Sequence, residues 1–101
     1  MTMQEWESHK SASSRITELV TDHNCSGKHH RILGEISDHC ATLTCNNVAN
    51  DKCHSLMFWA RKFYDAKRGS ASELQTAHDA MRHAAASIDD IVQRNLPSAN
   101  N

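Results

Sequence analysis

One proline, at position 97, and three glycines are all the backbone punctuation this chain of 101 residues carries. Sheets need turns, and turns are made by such residues. A β-sandwich or an array of alternating strands and helices would need many more of them, so both are excluded as expectations. What remains is a chain of long uninterrupted segments, and their side-chain spacing is helical. In the first, Trp6, His9, Ser13, Ile16, Val20 and His23 recur every three or four residues, one stripe down a helix. The second stripe is His29, Leu33, Ile36, Cys40 and Leu43, and the third is Cys53, Leu56, Met57, Ala60, Phe63 and Tyr64. The fourth is the cleanest, through Leu74, Ala77, Met81, Ala85, Ile88 and Val92.

The boundaries carry their own signals. Thr2 and Glu5 have the spacing of a capping box, as do Ser70 and Glu73. Gly27 and Gly69 are natural stops, Asn46, Asn47, Asn50 and Asp51 make a polar turn, and Pro97 forbids continuation. The spacing predicts four helices of about 17 to 25 residues with short connections, which makes successive helices antiparallel neighbours. The expected fold is all-α: an antiparallel four-helix bundle, up-down-up-down, in one domain over residues 1–95, with 96–101 a disordered tail.

The core of such a bundle is lean. Leu, Ile, Val and Phe number 16 of 101 residues, under the roughly 20% typical of globular chains, and twelve alanines supply the other small apolar faces. A core of this kind gives only a few kcal/mol at this size. A homodimer, a partner surface or a bound metal would supplement it. The formal net charge of −1 excludes both a strongly basic nucleic-acid binder and a polyacidic mimic. The longest run of large apolar residues is four, Leu56 to Trp59, so no membrane span is expected. With no signal peptide in view, the expected location is cytoplasmic and the thiols reduced.

Eight histidines and four cysteines, at 25, 40, 45 and 53, are the unusual usage. Turning 100° per residue places His9, His23, His29, His78, Cys40 and Cys53 on inner faces, His30, His54 and His83 on outer faces, and His39 on a flank. His23, His29 and His78 fall at one end of the bundle. With Cys25 or Cys53 as a fourth ligand they form a candidate zinc set, because zinc takes four nitrogen or sulfur ligands tetrahedrally. The competing reading is that a histidine near a helix end caps carbonyls or meets solvent. The spacing is not diagnostic: there is no Cys-x-x-Cys, and Cys40 and Cys45 lie on different helix faces.

Residues 29–36, 53–59 (Cys-His-Ser-Leu-Met-Phe-Trp) and 74–83 together faintly resemble the chemoreceptor zinc-binding domains, in element order over residues 29–92. The resemblance implies a four-helix bundle holding zinc through a histidine, a cysteine near a tryptophan, and a His-x3-His pair, and a role as a metal or redox sensor. This chain departs from that pattern. His54 stands where the motif has cysteine, Met57 where it has glycine, and His78 and His83 are one residue too far apart to share a helix face.

Catalysis has no comparable support. No Gly-x-Ser-x-Gly, phosphate loop or paired-carboxylate signature is present, and a bundle of this size offers a small cleft. The remaining feature is residues 56–64, which hold four of the five aromatic residues. A single stripe cannot bury them all. Phe63 and Tyr64 are expected inward, Trp59 on the flank, and Phe58 outward beside Arg61 and Lys62. An exposed phenylalanine with a flanking tryptophan and basic neighbours has the composition of a protein-binding hot spot. The competing reading folds these rings over a neighbouring helix or under Lys and Arg stems. The functional expectation is therefore a non-enzymatic module that binds another protein through Phe58, Trp59, Arg61 and Lys62, as an adaptor, immunity-type protein or inhibitor. The alternative is the zinc-binding bundle.

Overall fold

The computed structural model describes residues 2–21, 29–65 and 71–97, without the side chains of His29, His30 and Asp65. Four helices follow one another: α1 (Met3–Thr21), α2 (His29–Thr44), α3 (Asn50–Asp65) and α4 (Ala71–Arg94). Among the described residues there is no strand. α1 and α3 each pack on both α2 and α4, so the helices form a ring around one core to which all four contribute. The molecule is a rod of 51 × 21 × 20 Å with a radius of gyration of 14.2 Å, somewhat above the roughly 13 Å of a spherical domain of this length.

Each helix buries the centre of the stripe that its spacing predicted, while Trp6, Leu33, Met57, Phe63, Tyr64 and Leu74 stay partly exposed and His23 and the side chain of His29 lie outside the described residues. Ile16, Ile36, Leu43, Leu56 and Ile88 are completely enclosed, and Met81 nearly so. Between these large side chains sit the alanines Ala12, Ala60, Ala77, Ala84 and Ala85, which let neighbouring helices approach closely. His9 and Ser13 are also buried, at 2% and 0% exposure, so the stripe of α1 carries polar groups into the core. Ser13 Oγ donates to Asp89 at 3.1 Å and adds Thr17 Oγ1 to its own carbonyl at 3.2 Å. His9 Nδ1 is enclosed and has no hydrogen-bond partner among the described residues, a cost the surrounding packing must offset.

The α1–α4 contact fixes how two of the helices lie. Trp6 Nε1 donates to the Val92 carbonyl at 2.7 Å, Lys10 Nζ reaches Asp89 at 2.7 Å, and His78 Nε2 lies 2.8 Å from the Val20 carbonyl. Residue numbers rise along α1 as they fall along α4. The same holds for α3 and α4, where Phe63 meets His78 at one end and Asn50 and Lys52 share a shallow recess with Ile91 at the other.

The helix ends show why the chain stops where it does. At the start of α1, Thr2 Oγ1 accepts the Glu5 N–H at 3.1 Å while Glu5 Oε1 accepts the Thr2 N–H at 3.3 Å. This is the reciprocal capping box read from the sequence. At the other end of the chain, α4 stops at Arg94, three residues before Pro97. The stops at Gly27 and Gly69 and the second capping box from Ser70 lie outside the described residues.

The α2–α3 turn is more specific than an asparagine-rich linker. The Val48 N–H reaches back to the Leu43 carbonyl at 2.9 Å and the Asn47 N–H to the Thr44 carbonyl at 3.0 Å. Asn47 is left-handed, with φ 57°. These are the two bonds and the handed residue of a Schellman motif, which satisfies carbonyls that a helix end leaves open. Its usual apolar clasp is present too, because Val48 and Leu43 are both in the core. Ending α2 at Thr44 makes α2 and α3 16 residues each, slightly shorter than the spacing suggested.

Candidate functional site

The outer face of α3 carries the expected aromatic cluster. Phe58 lies on the side of α3 away from the buried line of Cys53, Leu56 and Ala60, and is 53% exposed. Trp59, one position on, turns 100° toward the core and packs on it while half-exposed. The two rings meet edge to face, with centroids 5.2 Å apart and planes at 87°. That is the arrangement ring quadrupoles favour. Four residues along the same face, Lys62 places its Nζ over the Phe58 ring, 5.1 Å from the centroid. The ammonium both covers part of the ring and is attracted to it. Arg61 is exposed beside them. Phe58 and Lys62 share one line of α3, with Trp59 turned to one side of it and Arg61 to the other.

Phe63 and Tyr64 are half-buried, and Phe63 packs on the core. Their rings meet edge to face at 5.1 Å, and Phe63 also lies against the His78 ring at 5.5 Å. These inner rings anchor the C-terminal half of α3 to α4. The outer pair is thus mounted on a helix whose opposite face is fixed. Such rigidity lowers the entropy lost when a surface is used for binding.

Of the candidate metal ligands, His23 and Cys25 lie outside the described residues, as does the side chain of His29. His78 is half-buried, with Nε2 directed at the Val20 carbonyl near the end of α1. Cys53 is ten residues from Phe63, about 15 Å along α3, and so far from His78. Cys53 does not join His78; it meets Cys40 instead. Among the described residues no three histidine, cysteine or carboxylate groups are placed to share a metal ion. His54 and His83 are exposed and His39 is half-buried, as helical stepping places them.

The Cys40–Cys53 contact is the feature that sequence reading missed. Both residues were placed on inner stripes, but the period of one helix says nothing about its level against the next. Both are reduced and buried, at 4% and 2% exposure. The neighbouring Cys53 thiol and burial hold the Cys40 thiol far above the ordinary range, while the nearby Cys40 thiol favours ionisation at Cys53 against its burial. Cys45, between them in sequence, is exposed.

Elsewhere, charged pairs line the surface. Arg15 bridges Glu18 on its own helix and Glu35 on α2, and Arg94 pairs with Asp90. Exposed pairs of this kind contribute little individually.

The chain matches no protein family model, no curated protein and no solved structure. The resemblance of residues 29–92 to chemoreceptor zinc-binding domains therefore rests on its motif residues alone. Among the described residues, no helix is long and apolar enough to cross a membrane.

Proposed function

We propose that this chain is a non-enzymatic, cytoplasmic protein-binding module. It is an antiparallel up-down-up-down bundle that presents the outer strip of α3 to another protein. The observation that carries this reading is the Phe58 ring. It is 53% exposed, braced edge-on by Trp59 and flanked by two cations, Arg61 and Lys62. Exposing a phenylalanine costs hydrophobic stabilisation that a lean core can ill spare. Aromatic residues and arginine are the groups enriched at binding hot spots. The partner would offer an apolar recess rimmed by carboxylates, and the action would be steric, as in an adaptor, immunity-type protein or inhibitor. A homodimer through the same strip is the companion form, since it would cover the ring with a second copy.

The test is the double variant Phe58→Ala with Trp59→Ala. It should abolish partner capture or self-association while leaving helical content intact. Unchanged sedimentation together with unchanged captured partners would overturn the reading.

A second reading, a zinc-binding sensor, is favoured by one contact. His78 Nε2 lies 2.8 Å from the carbonyl of Val20, at the end of α1, and His23 and Cys25 follow Val20 by three and five residues in the sequence. Metal would then raise the melting temperature by linkage. Elemental analysis of untagged protein, with melting before and after chelation, decides it: substoichiometric metal and no shift would remove this reading.

A further inference from the structure

We infer that Cys40 and Cys53 are a disulfide-forming pair that clasps α2 to α3 when the protein meets a small-molecule disulfide. The geometry that places them together is the turn at 45–49. Cys40 lies four residues before the last residue of α2, and Cys53 three residues after the first residue of α3. Because α2 packs on α3, this near-symmetry about the turn puts the two residues at one level. Both also face inward: Ile36 and Leu43 flank Cys40 on the core face of α2, and Leu56 lies one turn from Cys53 on that of α3. Residues facing each other across packed neighbours at one level are where a disulfide's short reach can be met.

The chemistry balances with one co-reactant, a low-molecular-weight disulfide of the glutathione type. The Cys53 thiolate attacks one sulfur of that disulfide, releasing one small thiol and leaving a mixed disulfide on Cys53. The Cys40 sulfur, losing its proton to water, then displaces the second small thiol and closes the Cys40–Cys53 bond. Two protein thiols are oxidised, and one small disulfide is reduced to two thiols. The neighbouring Cys40 thiol favours the ionised form at Cys53, the form needed for the first step. Both sulfurs are enclosed, so the exchange proceeds through local opening around the turn, where Asn47 and Ala49 both hold left-handed backbone.

Cys45 is exposed and competes for the same reagent, so the test uses Cys45→Ser, a substitution at the surface. The folded variant is incubated with oxidised glutathione, blocked with an alkylating agent and cut with trypsin without reduction. Arg31, Lys52 and Arg61 place Cys40 and Cys53 on separate peptides, Ile32–Lys52 and Cys53–Arg61. The expected result is these two peptides joined, with a mass two hydrogens below the sum of the two free-thiol peptides, and a melting temperature raised by roughly 10 °C that dithiothreitol reverses. Absence of the joined peptides from Cys45→Ser would overturn the inference. So would their equal formation in a Cys40→Ala variant that keeps Cys45, because Cys45 would then be the partner of Cys53.

Discussion

Replacing Asn47 with alanine and, separately, with glycine tests whether the α2–α3 turn is held by backbone handedness. Asn47 occupies the left-handed position of the Schellman motif, at φ 57°, and its side chain is exposed. A residue with an ordinary Cβ costs roughly 1–2 kcal/mol there, which asparagine partly avoids and glycine avoids altogether. The Asn47 side chain makes one contact of note, accepting from Asn50 Nδ2 at 3.3 Å on the surface, a bond of little net value in water. Alanine should therefore destabilise the protein by about 1 kcal/mol, mostly through φ. Glycine should leave it within a few tenths, because relief of the turn is offset by a more flexible unfolded chain. For a domain of this size, 1 kcal/mol is a fall of roughly 5 °C in Tm. Thermal and urea melts followed by far-UV circular dichroism read it directly, with the urea slope unchanged. An alanine variant that melts with the parent, or a glycine variant that falls as far as alanine, would refute the reasoning.

Two further predictions concern α2 and the α1–α4 seam. Gly34 lies within α2, exposed, and a Cβ built there meets nothing within 4 Å. Gly34→Ala should stabilise by about 1 kcal/mol, raising Tm by roughly 5 °C, and an unchanged or lower Tm would contradict the helix at that position. The hydrogen bond from Lys10, with a second from Ser13, holds the Asp89 carboxyl below the usual carboxylate range. Its folded pKa is then below its unfolded one, so its stabilisation is complete above the unfolded value and is lost as pH falls through the folded one. Urea midpoints measured from neutral pH to below pH 4 should fall less steeply for Asp89→Asn than for the parent, and parallel curves would count against the seam.

The helices and their inner faces were legible because period and burial are the same fact: a stripe that includes Ile16, Ile36, Leu56 or Ile88 has to be covered. The outward turn of Phe58 followed from the same stepping. What the sequence hid was anything set by two elements at once. Asn47 and its neighbours read as a polar turn, but its left-handed backbone depends on Leu43 and Val48 closing over the end of α2. Ala49 shares that conformation, with φ 54°, at a residue type that gives no warning of it. Cys40 and Cys53 were both read as inner-face residues, but it is the packing of α2 on α3 that brings them to one level. His9 was placed inward correctly, although nothing in its spacing foretold a ring nitrogen without a partner among the described residues.

The bond from Trp6 to the Val92 carbonyl draws the opening turn of α1 against the closing turn of α4. A short flexible peptide fused between positions 2 and 97 would span that gap, and the chain could then be cut open within 45–49. Such a circular permutant would keep all four rods in their ring while moving both ends to the opposite side of one turn. It would also separate the two thiols in sequence without separating them in space.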